Sequence, residues 1–165
     1  MNFDDQLKEL VKKLLDLALL SGTKIASAES CTGGLISGLI TQIAGSSKMF
    51  DRGFVTYSNE AKMQNLGVLK KTLDEFGAVS QQVAEEMAIG AIKNSNANLS
   101  IAVTGIAGPI SDDTNKPVGL VFISSLNDLN QNLIVEKFQF DGNRSEVRNA
   151  AITNALKILI FQLSQ

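Results

Sequence analysis

Histidine and tryptophan are absent from all 165 residues, and the chain has one cysteine, Cys31, one tyrosine, Tyr57, and two prolines. Without imidazole, a hydrolytic site has neither the usual general base nor the commonest zinc ligand, so a serine nucleophile needs lysine or tyrosine to activate it. A lone cysteine cannot close an internal disulfide, and the zinc spacings have no material, which fits a reducing compartment. No uninterrupted apolar run approaches the ~20 residues of a membrane span. The opening Met1-Asn2-Phe3-Asp4-Asp5-Gln6 is acidic, where a signal peptide is basic and then apolar. No run of lysine or arginine exceeds two residues and the formal net charge is −2, which argues against a surface that tracks nucleic-acid phosphates. The expectation is a cytoplasmic protein with neither membrane nor nucleic acid as partner.

What is present is the mixture of a folded enzyme. Apolar residues make up 44% and charged residues 19%, and thirteen glycines supply many tight turns. The length suits one domain over residues 1–165 with a core that needs no metal or disulfide.

From Phe3 to Leu20 apolar residues recur at three-and-four spacing, which predicts an amphipathic helix ended by Ser21-Gly22. Lys24 to Glu29 reads as a strand of small residues running into the turn Ser30-Cys31-Thr32-Gly33-Gly34. Leu35, Ile36, Leu39, Ile40 and Ile43 predict a second helix, whose start gathers backbone N–H groups with the Ser30 and Thr32 hydroxyls into a cradle for an anion or carbonyl. Gly45-Ser46-Ser47 breaks that helix, Phe54 to Tyr57 predicts a strand, and Asn59 caps a helix through Leu66. Ser80 caps a helix over Gln81 to Lys93 with Val83, Met87, Ala88, Ala91 and Ile92 inward. Leu99 to Val103 suits a central strand covered on both faces, followed by the loop Thr104-Gly105-Ile106-Ala107-Gly108-Pro109. The polar stretch Ser111 to Lys116 predicts a mobile loop, Val118 to Ser124 and Asn132 to Phe140 a hairpin, and Ser145 to Leu163 a closing helix. Helices and strands alternate, so the fold class is α/β: a three-layer α/β/α sandwich on a mixed sheet of about five strands.

The dinucleotide and P-loop signatures fail, because the loop after Val103 has neither G-x-G-x-x-G nor a G-K-[ST] ending. Ser47, Tyr57 and Lys62 form the candidate catalytic set: a lysine kept near low-dielectric surroundings loses its proton readily and serves as base, and a tyrosine relays it. Glu29, between a small-residue strand and the helix start, is placed to orient a hydroxyl or an amide. Cys31 reads as a packed residue, since no histidine is available to pair with it. Arg144, in a glycine loop beside a helix start, suits a phosphate or covers the helix end. Ser30 competes with Ser47 as nucleophile.

Five ordered motifs together carry a resemblance: Ala28-Glu29-Ser30-Cys31-Thr32-Gly33-Gly34, Gly53 through Lys62, Gly77-Ala78-Val79-Ser80, Val103 through Pro109, and Lys116-Pro117-Val118-Gly119. From first helix to last the chain resembles the CinA C-terminal domain family, the PncC-type nicotinamide-nucleotide amidases. The resemblance implies hydrolysis of the amide of nicotinamide mononucleotide to nicotinic acid mononucleotide and ammonia, a step of pyridine nucleotide recycling, and a homodimeric state; a histidine-free chain with one cysteine offers only carboxylates as metal ligands, so no metal or other cofactor is expected. The resemblance implies Ser47 as catalytic serine with Tyr57 and Lys62 as activating partners. It puts Ser30, Thr104, Gly105 and Arg144 at ligand positions; Glu29, Thr32 and Gly33 complete the candidate substrate contacts. The larger N-terminal domain of some members has no room here, so its activity is expected to be absent. The rival expectations are a catalytically silent interaction module in a competence or DNA-damage response, and an amidase of another small amide.

Overall fold

The computed structural model describes residues 3–111 and 115–165. The first helix, α1 (Asp5–Ser21), begins where the Asp4 carboxylate accepts the Gln6 N–H at 2.9 Å, and it buries Leu7, Val11, Leu14 and Ala18. Strand β1 (Ile25–Glu29) is buried along its whole length and leads through a turn into α2 (Leu35–Thr41). A single 3-10 turn, Ser46–Lys48, precedes β2 (Phe50–Val55). Then come α3 (Asn59–Leu66), α4 (Lys70–Phe76), α5 (Gln81–Lys93) and β3 (Leu99–Gly105). The hairpin of β4 (Leu120–Asn127) and β5 (Asn132–Gln139) and the long α6 (Arg144–Leu163) close the chain.

The sheet runs β2-β1-β3-β4-β5. Its first three strands are parallel, with Ile25 opposite Phe50 and Leu99, while β4 and β5 are antiparallel, so the sheet is mixed. Side chains alternate across it. Ile25, Leu99, Ile101, Val103, Val121 and Ile123 point into a core shared with α1, α2 and α6. Ala26, Ala28 and Ala102 face a second core with Leu66, Leu73, Val83 and Met87 of α3, α4 and α5. The alanines on that face let α5 sit close to the sheet, and Ser100 Oγ donates to Ala88 O at 2.9 Å across the contact. These two cores make the three layers.

Three local expectations are corrected. The second strand covers Phe50–Val55 rather than 54–57, and Ser58, not Asn59, caps α3, its Oγ accepting the Ala61 N–H at 3.0 Å. The short helix α4 was not anticipated. The loop expected over 111–116 lies in part outside the described residues. Among the described residues no helix is long and apolar enough to cross a membrane.

Candidate active site

A cavity of about 280 Å³ opens where the parallel strands end, bordered by the turn after β1, the residues after β2, the end of β3 with the 106–108 loop that follows it, and the first turns of α3 and α6. In open α/β sheets this carboxyl edge is where ligands bind. The sheet register brings its walls together: Thr56 N–H donates to Glu29 O at 2.8 Å and Ser30 N–H to Val103 O at 2.9 Å, so the ends of β1, β2 and β3 meet around Ser30.

At the floor, Lys62 on α3 is 1% exposed. Its Nζ donates to Ser30 Oγ at 3.0 Å and to Thr56 O at 2.8 Å. Among the described residues it makes no ion pair, since the salt bridges lie on the surface at Asp5–Lys8, Glu9–Lys12, Asp51–Arg52 and Lys70–Asp74. Burial disfavours the ammonium, and the Lys62 pKa falls from the ordinary 10.5 to about 8. A neutral amine there would keep an N–H for Thr56 O and turn its lone pair to the Ser30 hydroxyl. A hydroxyl hydrogen-bonded to an amine of lowered pKa can act as a nucleophile with its general base.

At the mouth, Arg144 donates from one guanidinium nitrogen to Gly108 O and from another to the Tyr57 hydroxyl oxygen, both at 2.9 Å. Tyr57 is 60% exposed. Its hydroxyl meets Arg144 and, among the described residues, makes no hydrogen bond to Ser30 or Lys62, so the structure joins it to the arginine and not to the expected catalytic partners. Thr104, 1% exposed, lines the cavity but donates its hydroxyl to Ala78 O at 2.8 Å, fixing the 77–80 turn. Gly105 also lines it; a Cβ there would stand 2.8 Å from Leu120 O, so the glycine is dictated by close packing on β4.

Four expected site residues lie elsewhere. Ser47 sits in the 3-10 turn before β2, exposed, with Lys24 Nζ on its carbonyl at 3.4 Å. It is thus at the opposite end of β2 from Tyr57 and Lys62, and a six-residue strand separates them by ~20 Å at 3.3 Å per residue. Glu29 is fully buried, and its carboxylate accepts the N–H groups of Gly34, Ile36 and Ser37 at 3.0, 3.1 and 2.9 Å and the Ser37 hydroxyl at 2.7 Å. The anion cradle expected at the start of α2 is therefore filled by the protein's own carboxylate. Thr32 is buried with its hydroxyl unpartnered, and its carbonyl accepts from Arg148 at 2.7 Å; Gly33 is exposed beside that same guanidinium. Neither lines the cavity. Cys31 does line it, buried as a packed residue, and burial pushes its thiol up to about 11.

Several cavity residues lie outside the expected set, with Asn59 and Ser111 among the polar ones. Asn59 lies three positions before Lys62, on the same face of α3. Its spacing from Lys62 was the available signal, obscured by reading it as a cap. Among the described residues no group of three or more cysteine, aspartate and glutamate side chains could hold a metal ion.

Fold and site together define an α/β/α protein with a cavity at its strand ends, built on a serine and a buried lysine that makes no ion pair among the described residues. The chain belongs to the CinA C-terminal domain family, whose model matches residues 7–163. A putative competence-damage inducible protein of Caldicellulosiruptor saccharolyticus is 47% identical over 157 residues, which is 94% of this chain and 37% of that protein. The chain thus spans little more than a third of that longer relative. The nicotinamide-nucleotide amidohydrolase PncC of Escherichia coli (strain K12) is 43% identical over 162 residues, 98% of both chains. The crystal structure of the competence/damage inducible protein CihA from Agrobacterium tumefaciens superposes with a TM-score of 0.94 at 45% identity, covering 100% of this chain and 99% of that one.

Proposed function

We propose that this protein is an amidohydrolase that cleaves the carboxamide of nicotinamide mononucleotide to nicotinic acid mononucleotide and ammonia, with Ser30 as nucleophile and Lys62 as its base. The observation that carries the reading is the 3.0 Å contact between Lys62 Nζ and Ser30 Oγ, with no carboxylate paired to the amine among the described residues. A silent interaction module has no use for such a lysine, because burying an uncompensated ammonium costs several kcal/mol. The whole-length similarity to a protein named nicotinamide-nucleotide amidohydrolase supports the substrate class.

Neutral Lys62 accepts the Ser30 proton as Oγ attacks the carboxamide carbon. The developing oxyanion takes a hydrogen bond from the N–H of Cys31, which lines the cavity and has no backbone acceptor among the described residues. Each well-placed donor of this kind contributes about 3 kcal/mol to the transition state. The Lys62 ammonium then gives its proton to the departing nitrogen, so ammonia leaves and the Ser30 ester remains. A water deprotonated by the same amine releases the acid and restores the serine hydroxyl. Arg144 takes the phosphate, using guanidinium donors beyond the two engaged by Gly108 and Tyr57. Residues 1–165 then act as one catalytic domain in the cytoplasm.

Ammonia release from nicotinamide mononucleotide by purified protein in chelator tests the reading. Absence of turnover, or unchanged turnover in Ser30→Ala, would overturn it. A homodimer belongs to the same proposal: Leu20, Leu129 and Phe161 are exposed apolar side chains that supply surface for one, and light scattering at micromolar concentration tests it.

A further inference from the structure

The cavity's hydrogen-bonding side chains are nearly all engaged. Lys62 is bound to Ser30 and Thr56, Thr104 to Ala78, Arg144 to Gly108 and Tyr57, and Ser111 Oγ donates to Lys116 O at 2.6 Å. Asn59 is the exception. It lines the cavity, is exposed, and makes no side-chain hydrogen bond among the described residues. Helix α3 does not need this side chain as a cap, because the Ser58 hydroxyl already accepts the Ala61 N–H. A free carboxamide offers donors and an acceptor together, the complement of a hydroxyl pair.

Its place along α3 says which part of a ligand it meets. Asn59 precedes Lys62 by three residues, about 4.5 Å along the helix axis, and it lies at the open side while Lys62 is at the floor. A carboxamide carbon held at Ser30 puts its ring above the floor and the group on the far side of that ring one step further out. In a nicotinamide nucleotide that group is the sugar. Arg144, across the mouth on α6, is left for the phosphate.

We propose that Asn59 is a specificity-determining residue that reads the ribose hydroxyls of the substrate. The inference rests on the nucleotide amidase reading above and deepens it: Asn59 makes the site favour a ribonucleotide amide over the same amide with a sugar lacking a hydroxyl.

The test is a cycle of two proteins against three substrates. Turnover is measured for wild type and Asn59→Ala on nicotinamide mononucleotide and on its 2′-deoxy and 3′-deoxy forms. Asn59→Ala is expected to lower kcat/KM on the ribonucleotide about tenfold, mostly through KM. Removing one of the two hydroxyls should cost wild type a comparable factor and the variant little. Equal deoxy penalties in wild type and Asn59→Ala, or an unchanged kcat/KM for Asn59→Ala on the ribonucleotide, would overturn the assignment and leave the amidase intact. Failure of wild type to hydrolyse the ribonucleotide would overturn the amidase reading, and the sugar assignment with it.

Discussion

Lys62 and Ser30, 32 positions apart in sequence, meet through a 3.0 Å hydrogen bond at the floor of the cavity, and burial lowers the lysine pKa to about 8. If the neutral amine is the base, kcat/KM must rise with pH through about 8 and level above it, falling close to tenfold per unit on the acid side. Steady-state rates between pH 6 and 9.5 check this. A flat profile would remove Lys62 as base.

On the proposed mechanism Ser30→Ala is expected to reduce turnover on the order of 10³-fold or more, since a nucleophile and its base act as a unit. Ser47→Ala, at the far end of β2, should leave kcat and KM within about twofold. Mass mapping of an acyl-enzyme trapped from the substrate should find the modification on the peptide carrying Ser30; modification at Ser47 would reverse the assignment.

Tyr57 and Arg144 should separate from the catalytic pair kinetically. Tyr57→Phe removes the 2.9 Å bond to the arginine and keeps the ring, so it should raise KM about three- to tenfold with kcat nearly unchanged. Arg144→Ala should raise KM further by removing binding common to ground and transition states. A large fall in kcat for Tyr57→Phe would restore the tyrosine to the proton path.

Much of the architecture is legible in the sequence because local and global signals agree. Ser80 followed by Val83, Met87, Ala88 and Ala91 marks the start and inner face of α5, and the helix runs Gln81–Lys93 as expected. The second strand misleads because it is an edge strand containing Asp51, Arg52 and Gly53, half exposed and without alternation. Gly53 is there for close approach: a Cβ would stand 2.1 Å from the Ser37 hydroxyl. Seven-residue α4 buries only Thr72 and Leu73, too few to show a period. The site is harder to read, since nearness in chain is not nearness in space. Ser47 and Lys62 are close in sequence and held apart by β2, while Ser30 comes to Lys62 only through the parallel pairing of β1 with β2. Glu29 looks functional because a charge in a small-residue strand is unusual, and only the fold shows α2 starting on top of it.

Glu29 accordingly makes a stability prediction and not a binding one. Glu29→Ala leaves the Gly34, Ile36 and Ser37 N–H groups and two serine hydroxyls without their acceptor in a buried place. It should cost about 3–5 kcal/mol in urea unfolding. The folded fraction should keep KM within about twofold. A tenfold rise in KM at unchanged stability would return Glu29 to the substrate site.

Lys62 also ties catalysis to stability, with a definite sign. Its pKa is about 8 in the folded protein against an ordinary 10.5, so between those values the unfolded chain binds a proton that the folded chain does not. Stability from this group therefore increases as pH rises from about 8 to 10.5. Below about 8 both states carry the charge and its burial cost is fully present, roughly 3 kcal/mol at one pKa unit per ~1.4 kcal/mol. Lys62→Met removes that cost and also leaves Thr56 O without its donor, a loss of about 1–3 kcal/mol, so at pH 7 the variant should match wild type or exceed it while being inactive. Urea unfolding at pH 7, 8, 9 and 10 isolates the contribution, because every other titrating group is common to the two proteins. The difference, wild type minus variant, should climb with pH across that range. Parallel curves would mean that Lys62 titrates as an ordinary surface lysine, and the base assigned to Ser30 would have to be sought elsewhere.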